Sequence, residues 1–232
     1  MVYAGIVAGG SGLRMGADKP KQFLEVKGKP IIIHTLLRFL SVDGIDRVIV
    51  AVNPDWLGEM QELIERFIPQ PVKQRITLIK GGADRNASVM NIVEAIREST
   101  ALSDEDILLT HDGVRPFVST ETIKENISAA AEYGACTTAV PATDTLLYSE
   151  DGITVTDTPE RSKLFCAQTP QSFKITALLE AYSSLVDSQK QCLTDVCGIF
   201  SAAGKDVRIV KGSPENIKIT SPLDLKLAEL LV

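Results

Sequence analysis

The chain has 232 residues, 44% hydrophobic and 23% charged, the make-up of a globular protein with a full core and not of a disordered one. Its formal net charge of −6 argues against non-specific nucleic-acid binding, which needs a broad basic surface. An acidic chain binds a phosphorylated ligand only by gathering its cations locally.

In chain order, "VYAGIV" (2–7) reads as a buried strand, short and rich in β-branched residues. A Gly-rich basic loop follows, "VAGGSGLRMGADKPKQF" (7–23). "KPIIIHTLLRFL" reads as a helix with Pro30 near its first position. "RVIVAV" (47–52), "ITLIK" (76–80) and "ILLTH" (107–111) are further buried strands. Amphipathic helices separate them at 54–67, 86–99 and 119–134, the last with Ser119 as cap and Gly134 as stop. The βαβα alternation implies an α/β fold, Rossmann-like and doubly wound, with a mostly parallel sheet. The rhythm breaks at "ATDTLLYSEDGITVTDT" (142–158), which reads as two short strands around the turn Asp151-Gly152. That hairpin either projects as an arm or lies on the core. "ALLEAYSSL" and "TDVCGIFSAAG", the strand "DVRIVK" and a closing helix begun by Ser221 and Pro222 complete the chain. With no repeat, linker or low-complexity tract, a single domain over 1–232 is the economical reading.

Cys136, Cys166, Cys192 and Cys197 form no Cys-x-x-Cys pair, and two histidines, His34 and His111, add no zinc constellation. Buried, reduced thiols in a cytoplasmic protein are expected. No signal peptide and no membrane-length apolar run is visible.

The loop after the first strand stands where α/β folds bind phosphates. It is not a P-loop, for it lacks the closing Gly-Lys-Ser/Thr. Nor is it a dinucleotide fingerprint, because Met15 stands in place of the third glycine; a dehydrogenase is disfavoured. Gly9, Gly10 and Gly12 let the backbone aim N–H groups at a phosphate chain, while Arg14 and Lys21 add charge suited to a triphosphate. Lys19 reads as a solvated surface lysine.

"AGGSGLRMGADKPKQF" resembles the signature loop of sugar-nucleotide pyrophosphorylases, and its Pro-Lys-Gln ending is similar to the cytidylyltransferases that act on polyol phosphates. Further matches run in order: "GGADRNASV" (81–89), "HDGVRPF" (111–117), "PATDT" (141–145), "TPQSF" (169–173), "LTD" (193–195) and "NIKIT" (216–220). One branch of that family makes CDP-methylerythritol for isoprenoids, the other CDP-ribitol for teichoic acid and the cell wall. "GGADRN", "LTDVCGIF" without a glutamate after Thr-Asp, and Gly9 in place of an alanine all favour the ribitol branch.

The resemblance implies nucleotidyl transfer from CTP with release of pyrophosphate. It implies that Ala8, Gly9, Gly10, Ser11 and Gly12 wrap the phosphates and that Arg14, Lys21 and Lys218 are the catalytic cations. Gly81, Gly82, Arg85 and Ser88 would read cytosine, and Asp112, at a strand end, would hold Mg²⁺. Arg115, Thr145, Arg161 and Thr194 would bind the acceptor phosphate. It also implies a homodimer through a β-arm at about 142–167, with composite sites, and association with a ribulose-5-phosphate reductase. No nucleic acid and no membrane enter the scheme. A non-catalytic nucleotide-binding relative is the rival, against which Arg14, Lys21, Asp112 and Lys218 together argue. His111 has no proton to move and is expected to be structural.

Overall fold

The computed structural model describes residues 1–10, 19–191, 193 and 195–231. Its strands are β1 (Val2–Ala8), β2 (Glu25–Val26), β3 (Lys29–Pro30), β4 (Arg47–Val52), β5 (Ile76–Lys80), β6 (Ile107–Asp112), β7 (Ala135–Pro141), β8 (Phe165–Lys174) and β9 (Arg208–Lys211). Its α-helices are α1 (Ile31–Leu40), α2 (Leu57–Phe67), α3 (Gln70–Lys73), α4 (Arg85–Ser99), α5 (Thr120–Tyr133), α6 (Ile175–Ser184), α7 (Asp187–Gln191), α8 (Val196–Ala202) and α9 (Pro222–Leu231).

A seven-stranded sheet runs β5-β4-β1-β6-β8-β7-β9. The pairs β5/β4, β4/β1, β1/β6 and β7/β9 are parallel, whereas β8 runs antiparallel to both its neighbours. This is the expected Rossmann-like α/β architecture. One face carries α1, α2 and α5, packing Ile33, Leu36, Met60 and Ile123 onto Ile6, Val50 and Leu109. The other carries α4, α6 and α8, packing Ile92, Leu178 and Ile199 onto Tyr3, Ile49 and Leu108. Alternate strand residues thus feed opposite cores, as the two-residue repeat of a strand requires. From β1 the chain moves outward to β4 and β5, then returns to the other side as β6. The order therefore reverses between β1 and β6, and ligands gather beyond the carboxyl ends of such strands.

Pro30 is the residue before α1, near its first position as expected, and pairs in β3, where its φ of −56° and missing N–H suit the lead-in to the helix. Two expectations need correction. The hairpin over 142–158 is a single bridge, Tyr148 to Asp157, and not two strands. Asp151 instead accepts the N–H groups of Ile153 and Thr154 and the hydroxyl of Ser149, a local turn that competes with a ladder. Cys166 is exposed on β8, although Cys136 is buried and Cys197 half-buried; all three are free thiols. Burial pushes the Cys136 and Cys197 thiols up to about 12, so both stay protonated.

The sequence reading also passed over β7 and β8, which bury polar residues among apolar ones such as Phe173. Thr138, Gln171 and Ser172 are buried with their hydrogen bonds met inside the protein. Asn126 of α5 donates to Thr138 Oγ1 at 2.8 Å and accepts from Ser172 Oγ at 3.1 Å, while Thr138 donates to the Pro170 carbonyl at 2.8 Å. Satisfied in this way, buried polar groups avoid the penalty of desolvation.

Leu108 lies at the centre of the sheet with no solvent exposure. Leu108→Ala is expected to lower the unfolding free energy by about 2–5 kcal/mol in urea titration, from lost transfer and the cavity left behind.

Candidate active site

Beyond the carboxyl ends of β1 and β6 lies a cavity of about 460 Å³. The end of β1 contributes Ala8, Gly9 and Gly10, the turn before α4 contributes Gly82 and Ala83, and Lys21, Gln22, Arg85, Ser88, Asp112 and Lys218 complete much of the wall. Gln22 is buried and donates from Nε2 to the carbonyls of Ala8 (2.8 Å) and Gly10 (3.0 Å), fixing the start of the glycine loop.

The turn at 81–84 is built by Ser88. Its hydroxyl accepts the Gly82 N–H at 3.0 Å and donates to the Asp84 carbonyl at 2.8 Å. Asp84 caps α4, accepting the Ala87 N–H at 2.8 Å. The positive end of α4 therefore meets the cavity, a favourable place for an anion. A Cβ on Gly82 would sit 2.5 Å from Ala87 Cβ and 2.6 Å from the Ala87 carbonyl carbon, so only glycine fits there.

Asp112 is the electrostatic centre. Arg85 Nε lies 3.1 Å from its Oδ1, Lys218 Nζ 2.9 Å from its Oδ2, and Arg115 Nε 3.5 Å from Oδ2. Burial alone would raise the pKa of this carboxyl, but Arg85, Lys218 and Arg115 outweigh it and hold the group well below the usual carboxylate range. Three cations on one carboxylate leave positive charge in excess. Two buried guanidinium nitrogens, Arg85 Nη2 and Arg115 Nε, also have no hydrogen-bond acceptor among the described residues. The 3.5 Å contact of Arg115 Nε is an ion pair too poorly aligned to satisfy its N–H. Both features call for an anionic ligand.

The neighbours of Asp112 fix its loop. The Arg115 carbonyl can only accept, so the neutral His111 ring carries its proton on Nε2 and donates to that carbonyl at 3.0 Å. His111 Nδ1 then accepts from the Thr169 hydroxyl at 2.9 Å, and Thr169 Oγ1 in turn accepts the Asp112 N–H at 3.2 Å. Burial lowers the His111 pKa to about 4, keeping the ring neutral and this bonding pattern intact. Arg115 is held from the other side by the Asn216 carbonyl at 2.7 Å, and Asn216 Nδ2 reaches the Thr169 carbonyl at 2.8 Å.

The structure thus brings together Ala8, Gly9, Gly10, Lys21, Gly82, Arg85, Ser88, Asp112 and Lys218, with Arg115 against Asp112. Gly81 sits behind them, its N–H on the Val52 carbonyl at 2.7 Å. Arg85 pairs with Asp112, and the Ser88 hydroxyl bonds the Gly82 N–H and the Asp84 carbonyl. Thr145 and Arg161 are exposed in the 142–164 segment and do not line the cavity; Arg161 donates to the Thr143 carbonyl at 3.0 Å. Ser11, Gly12, Arg14 and Thr194 lie outside the described residues. Lys19 pairs with Glu59 at 2.8 Å on the surface. Gln22, Asn216, Thr169 and Gln171 were given no role by the sequence reading, although all four stand inside the quoted motifs: Gln22 in the first loop, Thr169 and Gln171 in "TPQSF" and Asn216 in "NIKIT".

Asp112 has the donor chemistry for a magnesium ion, one ionised carboxylate at the cavity wall with the other positions left to phosphate and water oxygens, and the ion would take the place of a cation now on its oxygens, Lys218 being the most exposed of them. No group of three His, Cys, Asp or Glu side chains among the described residues could hold a metal unaided.

A switch-point cavity rimmed by glycines, cations and a helix N-terminus defines a nucleotide-binding α/β protein. The chain belongs to the 2-C-methyl-D-erythritol 4-phosphate cytidylyltransferase (IspD) family, whose sequence model matches residues 2–232. It is a nucleotidyltransferase. Proteins named ribitol-5-phosphate cytidylyltransferase from two strains of Streptococcus pneumoniae are 45% identical over 100% of this chain and 99% of their own. Among solved structures, 4-diphosphocytidyl-2C-methyl-D-erythritol synthase from Anaerococcus prevotii superposes with a TM-score of 0.82 at 29% identity, covering 100% of this chain and 95% of that one. The 2-C-methyl-D-erythritol 4-phosphate cytidylyltransferase of Thermus thermophilus gives 0.74 at 30% identity, covering 100% and 98%. No helix among the described residues is long and apolar enough to cross a membrane.

Since backbone atoms block a side chain at position 82, Gly82→Ala is expected to distort the cradle and weaken CTP binding about tenfold or more by calorimetric titration, with the far-UV circular dichroism unchanged.

Proposed function

We propose that the protein transfers the cytidylyl group of CTP to D-ribitol 5-phosphate, giving CDP-ribitol and pyrophosphate. A phosphate oxygen of the acceptor attacks the α-phosphorus in line. The bond from that phosphorus to the bridging oxygen breaks, and pyrophosphate leaves with its electron pair. The observation that carries the reaction class is the excess of positive charge around Asp112 beside the helix N-terminus and the glycine turn. Full-length identity of 45% to proteins named for ribitol 5-phosphate supports the choice of acceptor. Ala83, small and apolar, leaves the Gly82 backbone to carry the base contact there.

In this reading Lys21, with Arg14 from the sequence motif, neutralises the departing pyrophosphate. Lys218 serves the α-phosphate; it is the most exposed of the three cations on Asp112, at 41%, and so is the least costly to redirect onto substrate. Asp112 would hold Mg²⁺, which when bound supplies charge neutralisation to the triphosphate. Arg115, pinned by Asn216, faces the acceptor phosphate.

The arm completes the reading. Leu147, Tyr148, Ile153 and Val155 are exposed by 61, 53, 90 and 53%. An apolar cluster of that kind suits burial against a second copy. The homodimer would bring Thr145 and Arg161 to a partner's acceptor site, in a cytoplasmic enzyme of teichoic-acid synthesis associated with the reductase that supplies ribitol 5-phosphate.

Pyrophosphate release is expected to be fast with ribitol 5-phosphate and weak with methylerythritol 4-phosphate; the reverse preference would overturn the proposal. Lys218→Ala should lower kcat about a hundredfold, equal to roughly 3 kcal/mol of transition-state stabilisation. Arg161→Ala should raise KM for the acceptor and leave KM for CTP nearly unchanged, and equal effects on both would remove Arg161 from the acceptor site.

A further inference from the structure

Gln22 stands in the cavity wall beside Lys21 and is 2% exposed. An amide nitrogen has two hydrogens, and here both are spent. Nε2 donates to the Ala8 carbonyl at 2.8 Å and to the Gly10 carbonyl at 3.0 Å. Carbonyls only accept, so the amide can take no other orientation. Its other polar atom, Oε1, is itself an acceptor and repels a phosphate oxygen. Gln22 is therefore no phosphate ligand, although it lines a cavity whose charge calls for an anion.

What it does hold is the carbonyl oxygens at the end of β1. The Val7 carbonyl accepts the Gly113 N–H at 3.0 Å, and Gln22 takes those of Ala8 and Gly10. Such oxygens carry partial negative charge, and one turned toward a bound phosphate would oppose it, as a backbone N–H favours it. The peptide is planar, so holding the Ala8 carbonyl also fixes the direction of the Gly9 N–H. Gly9 stands close to the opposite wall: a Cβ on it would lie 3.7 Å from Ser88 Oγ, the hydroxyl that builds the 81–84 turn.

The neighbours of Gln22 set its place. Phe23 is buried, stacks on Trp56 with ring centroids 5.3 Å apart, and donates its N–H to the Pro20 carbonyl at 2.9 Å. One short turn, Lys21–Phe23, thus brings a cation to the cavity, ties down the carbonyls across from it and anchors itself in the core.

We infer that Gln22 is a positioning residue for the nucleotide: by keeping two carbonyl oxygens engaged it makes the β1 edge of the cavity receptive to a phosphate chain that it does not itself touch. The inference rests on the reading of this cavity as the CTP site. Released carbonyls oppose a ligand in proportion to the charge it brings, so the loss on removing the amide grows with the number of phosphates.

Calorimetric titration of CTP and of CMP into the parent protein and Gln22→Met tests it. Methionine matches glutamine in length, carries no charge and donates nothing. CTP affinity is expected to fall about tenfold and CMP affinity less than about threefold. A variant that binds CTP as the parent does, or that loses CTP and CMP alike as a merely damaged pocket would, overturns the inference. Should Gln22→Met fail to fold, Gln22→Asn carries the test. One methylene shorter, it cannot reach both carbonyls; a greater loss of CTP than of CMP is again expected, and an equal or absent loss overturns the inference. A parent protein that does not bind CTP refutes the reading of the cavity and this inference with it, whereas failure in the variants beside a parent that binds CTP refutes the inference alone.

Discussion

A buried carboxylate facing three cations from three parts of the chain is the constraint on which the site depends. Arg85 begins α4, Asp112 ends β6 with Arg115 just beyond it, and Lys218 lies near the end of the chain. None of these segments is a neighbour of the others in sequence. An isolated carboxylate buried this far would cost several kcal/mol, and an isolated guanidinium would fare no better. Together they become affordable, and the loops that carry them are drawn to one place at the edge of the sheet. The pairing is unequal by design of number alone: one anion cannot neutralise three cations. The surplus, with its unsatisfied guanidinium nitrogens, is what a triphosphate would complete.

The scaffold behind the cluster is polar where most cores are apolar. His111, Thr169, Asn216 and Gln168 are all buried and linked by hydrogen bonds. Neutral His111 ties the Arg115 carbonyl to Thr169, and Thr169 takes the Asp112 N–H. These bonds hold the chain on both sides of Asp112 without placing another charge in the cavity. A charged imidazolium there would add to the cations already crowded around it, and burial prevents that. Function therefore reaches back through β8, whose Thr169, on Asp112, and Gln171, on Arg85, serve opposite sides of the same cluster.

That is also why the sequence was readable in some places and opaque in others. Strands β1, β4 and β6 carry apolar runs whose burial on both faces leaves a plain signal, and α5 declares both of its ends through Ser119 and Gly134. Strands β7 and β8 bury Thr138, Gln171 and Ser172, so their pattern is one of loops until Asn126 is seen to satisfy them. Asp151-Gly152 promised a hairpin, but side-chain bonds from Asp151 close a local turn instead. At the site, Asp112, Lys21 and Lys218 could be picked out by motif. Their partners Gln22, Asn216 and Thr169 stand in the same motifs, but what they do there rests on contacts between distant parts of the chain, which the motifs do not show. Arg85 was legible as a site residue, yet its engagement with Asp112 is a fact of three dimensions.

The most direct test of this account is the urea unfolding of Asp112→Asn, measured with and without inorganic pyrophosphate in magnesium-free buffer. Removing the charge leaves Arg85 and Arg115 buried without their counter-ion, which should cost roughly 3–5 kcal/mol; Lys218, more exposed, adds little. Pyrophosphate should restore much of that loss by supplying the missing anion. A variant as stable as the parent protein, gaining nothing from pyrophosphate, would contradict the claim that this one carboxylate organises the site.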